Sequence, residues 1–320
     1  FLKTTEGREN KKVMAGKNEI KKALSDVVAG KILYDEPMSS HTSLAVGGKA
    51  DALVFIKNED QLLEVVKKLK EKKINFLPVG NLTNIIVRDG GYRGAILLMT
   101  GMKKISYEYT PESGYLVTAQ AGAALAKVVN MSVSDELTGL EFCAGIPGTV
   151  GGAVWMNAGA YGKEMKDVIK AISLMDAEGE IKTMNSEEIS FSYRKTLLPP
   201  DTVILAAQFK LKKGEREKIK KKINEILQWR QKKHPLEFPN AGSIFKNLPM
   251  QIAGKLIEDM GLKGMSVGGA QISSKHANFI VNRGSATASD VLELIALIQS
   301  RAEKEKGVKL ETEVVIVGED

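Results

Sequence analysis

Residues 145–162 read GIPGTVGGAVWMNAGAYG, with glycine at six of the eighteen positions. Each glycine weakens a helix or strand interior by about 0.5–1 kcal/mol relative to alanine. Such a run implies positive φ angles or a backbone that approaches something closely. A surface turn accounts poorly for Ile146, Val150, Val154, Trp155 and Met156, which favour burial. A buried, irregular, glycine-rich segment leaves main-chain N–H groups to be satisfied, and a phosphate-bearing ligand is one partner that satisfies them.

The chain around it has 320 residues, 43% hydrophobic and 27% charged, as expected of a globular protein with two or three cores. Residues 1–13 are polar and lack the apolar stretch of a signal peptide. No apolar run approaches the ~20 residues that span a bilayer. Cys143 stands alone among the cysteines, which excludes an internal disulfide and suits a reducing cytoplasm. His41, His234 and His276 are scattered, so no metal site is expected. The net charge of +7 is concentrated between Lys210 and Lys233, where eleven Lys and Arg face three Glu. There Ile219, Ile223, Ile226 and Leu227 recur at helical spacing, which makes a helix with a solvated basic face. Attraction of an anionic ligand is the other use for that charge. Nucleic acid is not expected: no recognition motif is present and aromatics are 6% of residues.

Three blocks follow from periodicity. In the first, strand 50–56, an amphipathic helix with Leu62, Val65, Val66 and Leu69 on one face, strand INFLPV and strand 95–99 form a βαβ unit. The second, about 104–212, mixes short strands with a helix near 123–137 and holds the glycine-rich stretch. The third begins with the basic helix. It includes a short helix ended by Gly261, a last helix behind a Ser289 or Thr287 cap and stopped at Gly307, and a final strand KLETEVVIV. The fold class is α+β. An arm and lead-in helix occupy 1–30, a ligand-binding unit 31–212 (subdomains about 31–100 and 101–212), and a closing domain 213–320.

No G-x-G-x-x-G or G-x-x-x-x-G-K-[ST] occurs, which disfavours a Rossmann domain or a phosphate loop. PVGNLTN (78–84) follows a buried strand instead; it reads as a simple turn or as a second amide-rich segment. With 145–162 it could clasp an elongated dinucleotide.

GLEFCAGIPGTVGGAVWMNAGAYG, HTSLAVGGKAD, GNLTNIIVRDGG, SYRKT, NAGSIFKN, HANFIVN and LETEVVIVG occur in the order seen in the UDP-N-acetylenolpyruvoylglucosamine reductase family. The resemblance covers about residues 30–318. It implies two FAD-binding subdomains of the vanillyl-alcohol-oxidase (PCMH) type with non-covalent FAD, and a C-terminal domain for the UDP-sugar. It implies NADPH-dependent reduction of UDP-N-acetylglucosamine enolpyruvate to UDP-N-acetylmuramate for peptidoglycan synthesis in the cytoplasm, with no obligate protein partner and no membrane insertion.

By the same resemblance, Gly80, Asn81, Thr83, Asn84, Gly145, Ile146, Thr149, Gly151, Gly152, Asn157, Ala158 and Gly159 contact the cofactor. Tyr193, Asn247 and His276 contact the substrate. Arg194 would bind the substrate carboxylate, Ser243 would donate a proton to carbon, and Glu313 would hydrogen-bond the developing charge as a neutral acid. From the residues alone, Arg194 reads as a surface strand-end arginine, Ser243 as a turn serine, and Glu311 and Glu313 as solvated carboxylates on the same exposed strand face. Leu82 stands where many members have glycine, Thr196 where serine is usual, and His276 where some have glutamine. The 48 residues between Arg194 and Ser243 match the class without an inserted tyrosine loop. The alternatives are another FAD-dependent oxidase or dehydrogenase of this fold, or a nucleotide-sugar binding protein without flavin.

Overall fold

A computed structural model describes residues 16–25, 31–112 and 114–320; the expected arm over 1–13 lies outside them. Helix α1 (Lys17–Leu24) turns Ile20, Ala23 and Leu24 onto α2 (Glu59–Glu71), which buries the four apolar residues that its period predicts. Asn58 caps α2 by accepting from the Gln61 amide at 2.9 Å. Beside them lie β1 (Ile32–Pro37), β2 (Lys49–Phe55), β3 (Phe76–Val79), β4 (Ile85–Val87) and β5 (Tyr92–Leu98). Four of these form a sheet in the order β1-β2-β5-β3, with β5 parallel to both neighbours. The expected βαβ unit is therefore present, with β5 inserted between its first two strands.

The second block is an antiparallel sheet. β6 (Ile105–Thr110), β7 (Gly114–Gln120), β8 (Leu137–Thr138), β11 (Ile169–Met175), β12 (Ile181–Asn185) and β15 (Val203–Lys213) build it in the order β12-β11-β15-β7-β6, with β8 on the end of β15. Two small hairpins stand beside it: β9 (Gly159–Ala160) with β10 (Lys163–Glu164), and β13 (Ser190–Ser192) with β14 (Lys195–Leu197). Helices α3 (Leu125–Ser134) and α4 (Val150–Trp155) pack on the sheet through Leu125, Val128, Val129, Val150 and Val154. The glycine-rich stretch thus contains a short helix that its composition hides. Thr149 caps it, accepting from the Gly152 amide at 3.5 Å. Cys143 is buried in this core, and burial pushes its thiol pKa up.

The third block holds α5 (Arg216–Lys233), α6 (Ala253–Asp259), a small sheet of β16 (Ser266–Val267), β17 (Ala270–Ile272) and β18 (Ile280–Asn282), α7 (Ala288–Lys306) and β19 (Val315–Val317). Ile219 and Ile226 of α5 are buried, whereas Leu227 is exposed. Thr287, not Ser289, caps α7, and Gly307 at φ +65° ends it. The core here takes in Leu44, Val46 and Ile86 from the first block. The final strand is shorter than expected: only Val315–Val317 is strand, paired parallel to β4. Residues just before it turn elsewhere, as follows.

Candidate active site

The SYRKT motif forms the β13–β14 hairpin. Ser192 pairs with Lys195, which leaves Tyr193 and Arg194 as a two-residue turn. Arg194 sits at φ +58°, a left-handed conformation that costs a non-glycine residue about 1–2 kcal/mol. Its guanidinium packs over the Tyr193 ring at 4.9 Å, and its Nε donates to Glu313 Oε1 at 2.9 Å. Both side chains of this pair are largely buried, at 17% and 16% exposure. With Nε engaged, both terminal nitrogens of Arg194 remain to bind a carboxylate in bidentate fashion.

Ser243 reaches the same place through the main chain. The Glu313 amide donates to the Ile244 carbonyl at 2.7 Å, and the Lys246 amide to the Glu311 carbonyl at 2.9 Å. The Asn278 side chain clamps Phe245, donating to its carbonyl at 2.8 Å and accepting from its amide at 3.0 Å. Ser243 is half-buried, and its hydroxyl has no hydrogen-bond partner among the described residues. These contacts are also why residues 311–314 are not strand: they lie along 244–246 rather than in a sheet. Glu311 and Glu313 therefore do not share an environment. Glu311 is 76% exposed and paired with Lys246 at 3.1 Å. Burial pushes the Glu313 pKa above the ordinary carboxylate value, outweighing the opposite pull of Arg194 and Lys246.

The two amide-rich segments face each other. Thr83 Oγ1 donates to the Pro147 carbonyl at 3.3 Å, and a Cβ on Gly80 would run into the Thr149 hydroxyl. Among the described residues, none accepts a hydrogen bond from the amides of Asn81, Leu82, Thr83, Gly148 or Thr149. Gly148 has φ +142°, and a Cβ on exposed Gly152 would meet nothing closer than 3.6 Å. A row of free amides beside open backbone fits an anionic diphosphate.

Other glycines of the run have reasons within the protein. Gly145 (φ +72°) lies against Arg230, Gly151 against Ala121, and Gly159 against the Lys163 carbonyl. Ile146 and Ala158 pack on the second block's core. Leu82, where glycine was the comparison, itself adopts φ +55° with its side chain buried.

Two asparagines expected at the cofactor are engaged with protein. Asn84 Nδ2 donates to the Glu313 carbonyl at 3.0 Å and lies 3.1 Å from Met156 Sδ. Asn157 is fully buried with every side-chain polar atom bonded. Of the substrate candidates, Asn247 accepts from the Ala253 amide at 3.0 Å and His276 from the Asn278 amide at 3.2 Å. Neither hydrogen-bonds Arg194 or Glu313. Sequence reasoning passed over a ring cluster nearby: Tyr161 on Trp229, Trp229 on His234, and His234 on His276 and Phe279. The Arg230 guanidinium lies beside Tyr161 there, and burial pushes the Tyr161 pKa up despite it. Tyr161, His276 and Phe279 stand in quoted motifs, but no periodic or motif signal joins them to Trp229 and His234. No metal-ligating group of side chains occurs among the described residues, and none of their helices is long and apolar enough to cross a membrane.

Residues 50–185, which carry both amide-rich segments, match the FAD binding domain family; fold and site define an FAD-dependent oxidoreductase. Residues 234–317, which carry Ser243 and Glu313, match the C-terminal domain of UDP-N-acetylenolpyruvoylglucosamine reductase. The reductase of that name from Syntrophus aciditrophicus is 50% identical over 94% of this chain and 96% of its own. The Caldanaerobacter subterraneus protein is 45% identical over 91% and 95%. A crystal structure of the Thermus caldophilus reductase superposes with a TM-score of 0.75 at 33% identity, covering 90% of this chain and 98% of that one. The chain belongs to the UDP-N-acetylenolpyruvoylglucosamine reductase family.

Proposed function

We propose that the protein reduces UDP-N-acetylglucosamine enolpyruvate to UDP-N-acetylmuramate in the cytoplasm, with NADPH as the reductant. The observation that carries the proposal is the Arg194–Glu313 pair beside Ser243. Bound FAD supplies the hydride carrier between the nicotinamide and the enolpyruvyl double bond. The amides of 81–83 and 148–149 hold its diphosphate. Arg194 binds the substrate carboxylate with its two free terminal nitrogens. As hydride adds to the terminal carbon, the electron pair of the double bond moves onto the ether-bearing carbon and the carboxylate. Arg194 and protonated Glu313 stabilise that charge, and burial of Glu313 keeps its proton available. The Ser243 hydroxyl gives its proton to the ether-bearing carbon, completing a two-electron reduction. Tyr193, Asn247 and His276 line the approach of the UDP-sugar. In this division of labour residues 31–212 serve the flavin and 213–320 the nucleotide sugar, and no protein or nucleic-acid partner is required.

The two half-reactions separate under anaerobic conditions. NADPH should bleach the bound flavin, and the enolpyruvyl substrate should restore its colour. Ser243→Ala should leave the first step intact and slow the second by at least the ~10²-fold of a lost positioned acid. A flavin left oxidised by NADPH refutes the reductant; equal slowing of both steps makes Ser243 structural.

A further inference from the structure

Asn157, within the glycine-rich segment, adjoins the hairpin that carries Arg194. It is fully buried and adopts φ +43°, which asparagine tolerates better than most residues. Turn geometry alone does not explain what its side chain does. Nδ2 donates to Ser192 O and to Glu164 Oε2, both at 3.0 Å, while Oδ1 accepts from the Lys166 amide at 3.0 Å. Ser192 directly precedes the Tyr193–Arg194 turn. The β13–β14 hairpin pairs with no other strand among the described residues. Among the described residues, its hydrogen bonds to the glycine-rich segment are the Asn157 bond on one strand and, on the other, the Thr196 hydroxyl donating to the Val154 carbonyl, while Phe191 packs on the second block's core.

We propose that Asn157 is a positioning residue. By holding Ser192 it fixes the Arg194 guanidinium relative to the loop that faces the flavin, and so sets where the substrate carboxylate sits against the hydride carrier. The inference rests on Arg194 as the carboxylate-binding residue. Misplacement of a binding group by about 1 Å can cost ~10²-fold in rate, and loss of one of two tethers sets the scale here at about tenfold or more.

Asn157→Asp keeps the size, the tolerance of positive φ and the acceptor for Lys166, but places a carboxylate against Glu164 and the Ser192 carbonyl. Adding Glu164→Gln returns a donor to the 157–164 contact and leaves Ser192 without one. Asn157→Gly keeps the backbone angle and removes all three bonds without adding charge. With thermal stability and flavin content as controls, the double variant should regain stability lost in Asn157→Asp. It should also reduce with NADPH within about twofold of wild type. At saturating enolpyruvyl substrate, its flavin reoxidation, like that of Asn157→Gly, should remain slowed by about tenfold or more, as a loss in kcat rather than a rise in KM. Wild-type reoxidation in both variants, equal slowing of both half-reactions, or a change confined to KM overturns the proposal. Arg194→Ala is measured alongside. If it reoxidises normally, the assignment of Arg194 fails; if it is slow while both Asn157 variants are normal, the positioning role alone fails.

Discussion

Glu313→Gln and Glu311→Gln form a matched pair, because two glutamates two residues apart differ in everything but chemistry. Gln at 313 can still accept from Arg194 Nε, so the guanidinium keeps its partner, but the proton held by the buried acid is gone. Loss of a positioned acid is worth ~10²-fold or more, or about 2.7 kcal/mol of barrier at tenfold per 1.36 kcal/mol. Flavin reoxidation by the enolpyruvyl substrate should slow by that factor, and reduction by NADPH should not change. Glu311 is 76% exposed and, among the described residues, is paired only with Lys246. An exposed pair contributes at most about 1 kcal/mol to stability, and its loss should alter either half-reaction by less than about threefold.

Stability provides the control. The folded-state pKa of Glu313 lies above its unfolded value, so its stabilising effect is complete at low pH and is lost as pH rises through the folded value. Above that pH the neutral amide should leave the protein at least as stable as wild type. Reoxidation should fall over the same rise in pH, and Glu313→Gln should lack that titration. Anaerobic rapid mixing that follows the flavin absorbance reads both half-reactions. A damaged Glu311→Gln, or a Glu313→Gln variant that reoxidises at the wild-type rate, would refute the reasoning.

Two further predictions concern the third block. Asp89 accepts from the Ala288 amide at 2.9 Å, the Ser289 amide at 2.8 Å and Ser289 Oγ at 2.6 Å, so it clasps the N-terminus of α7. Asp89→Ala should cost about 1–2 kcal/mol and lower Tm by a few degrees; an unchanged melting curve removes the clasp. The His234 pKa is pushed down to about 4, first by burial and then by Arg230. Stability should therefore fall by about 3 kcal/mol as pH drops from about 6.5 to about 4. His234→Phe, which keeps the ring packing, should flatten that slope, and an identical slope in wild type and variant excludes His234 as the cause.

What was legible in the sequence was mostly local. Leu62, Val65, Val66 and Leu69 define α2 by their period, Gly307 marks the end of α7, and its start narrows to Ser289 or Thr287, of which Thr287 is the cap, because those signals act within a few residues. KLETEVVIV misled because strand propensity says nothing about partners. Its first half lies along Ile244–Lys246 and only its second half joins β4, so alternation could not separate Glu311 from Glu313. The glycine-rich run pointed to a close approach of backbone, and that approach is divided. Gly151 and Gly159 meet the protein's own atoms, while Gly148 and Gly152 leave the main chain open. Asn84 and Asn157 were legible as polar residues in cofactor loops; that their amides reach Glu313 O and Ser192 O depends on tertiary contacts that no spacing encodes.

The pairing of β4 with β19 brings Ile85 against Val315, 230 residues apart in the chain. During synthesis, β4 emerges long before its only strand partner among the described residues, and at translation rates of about 5–20 residues per second the wait is on the order of ten seconds or more. Through that interval its edge is open to other chains, and Glu313, two residues ahead of β19, is still unmade. Residues 31–212 can thus emerge from the ribosome while Glu313, the proposed acid, is absent. Formation of the Arg194–Glu313 pair therefore waits on a non-local strand docking that closes a loop of that length.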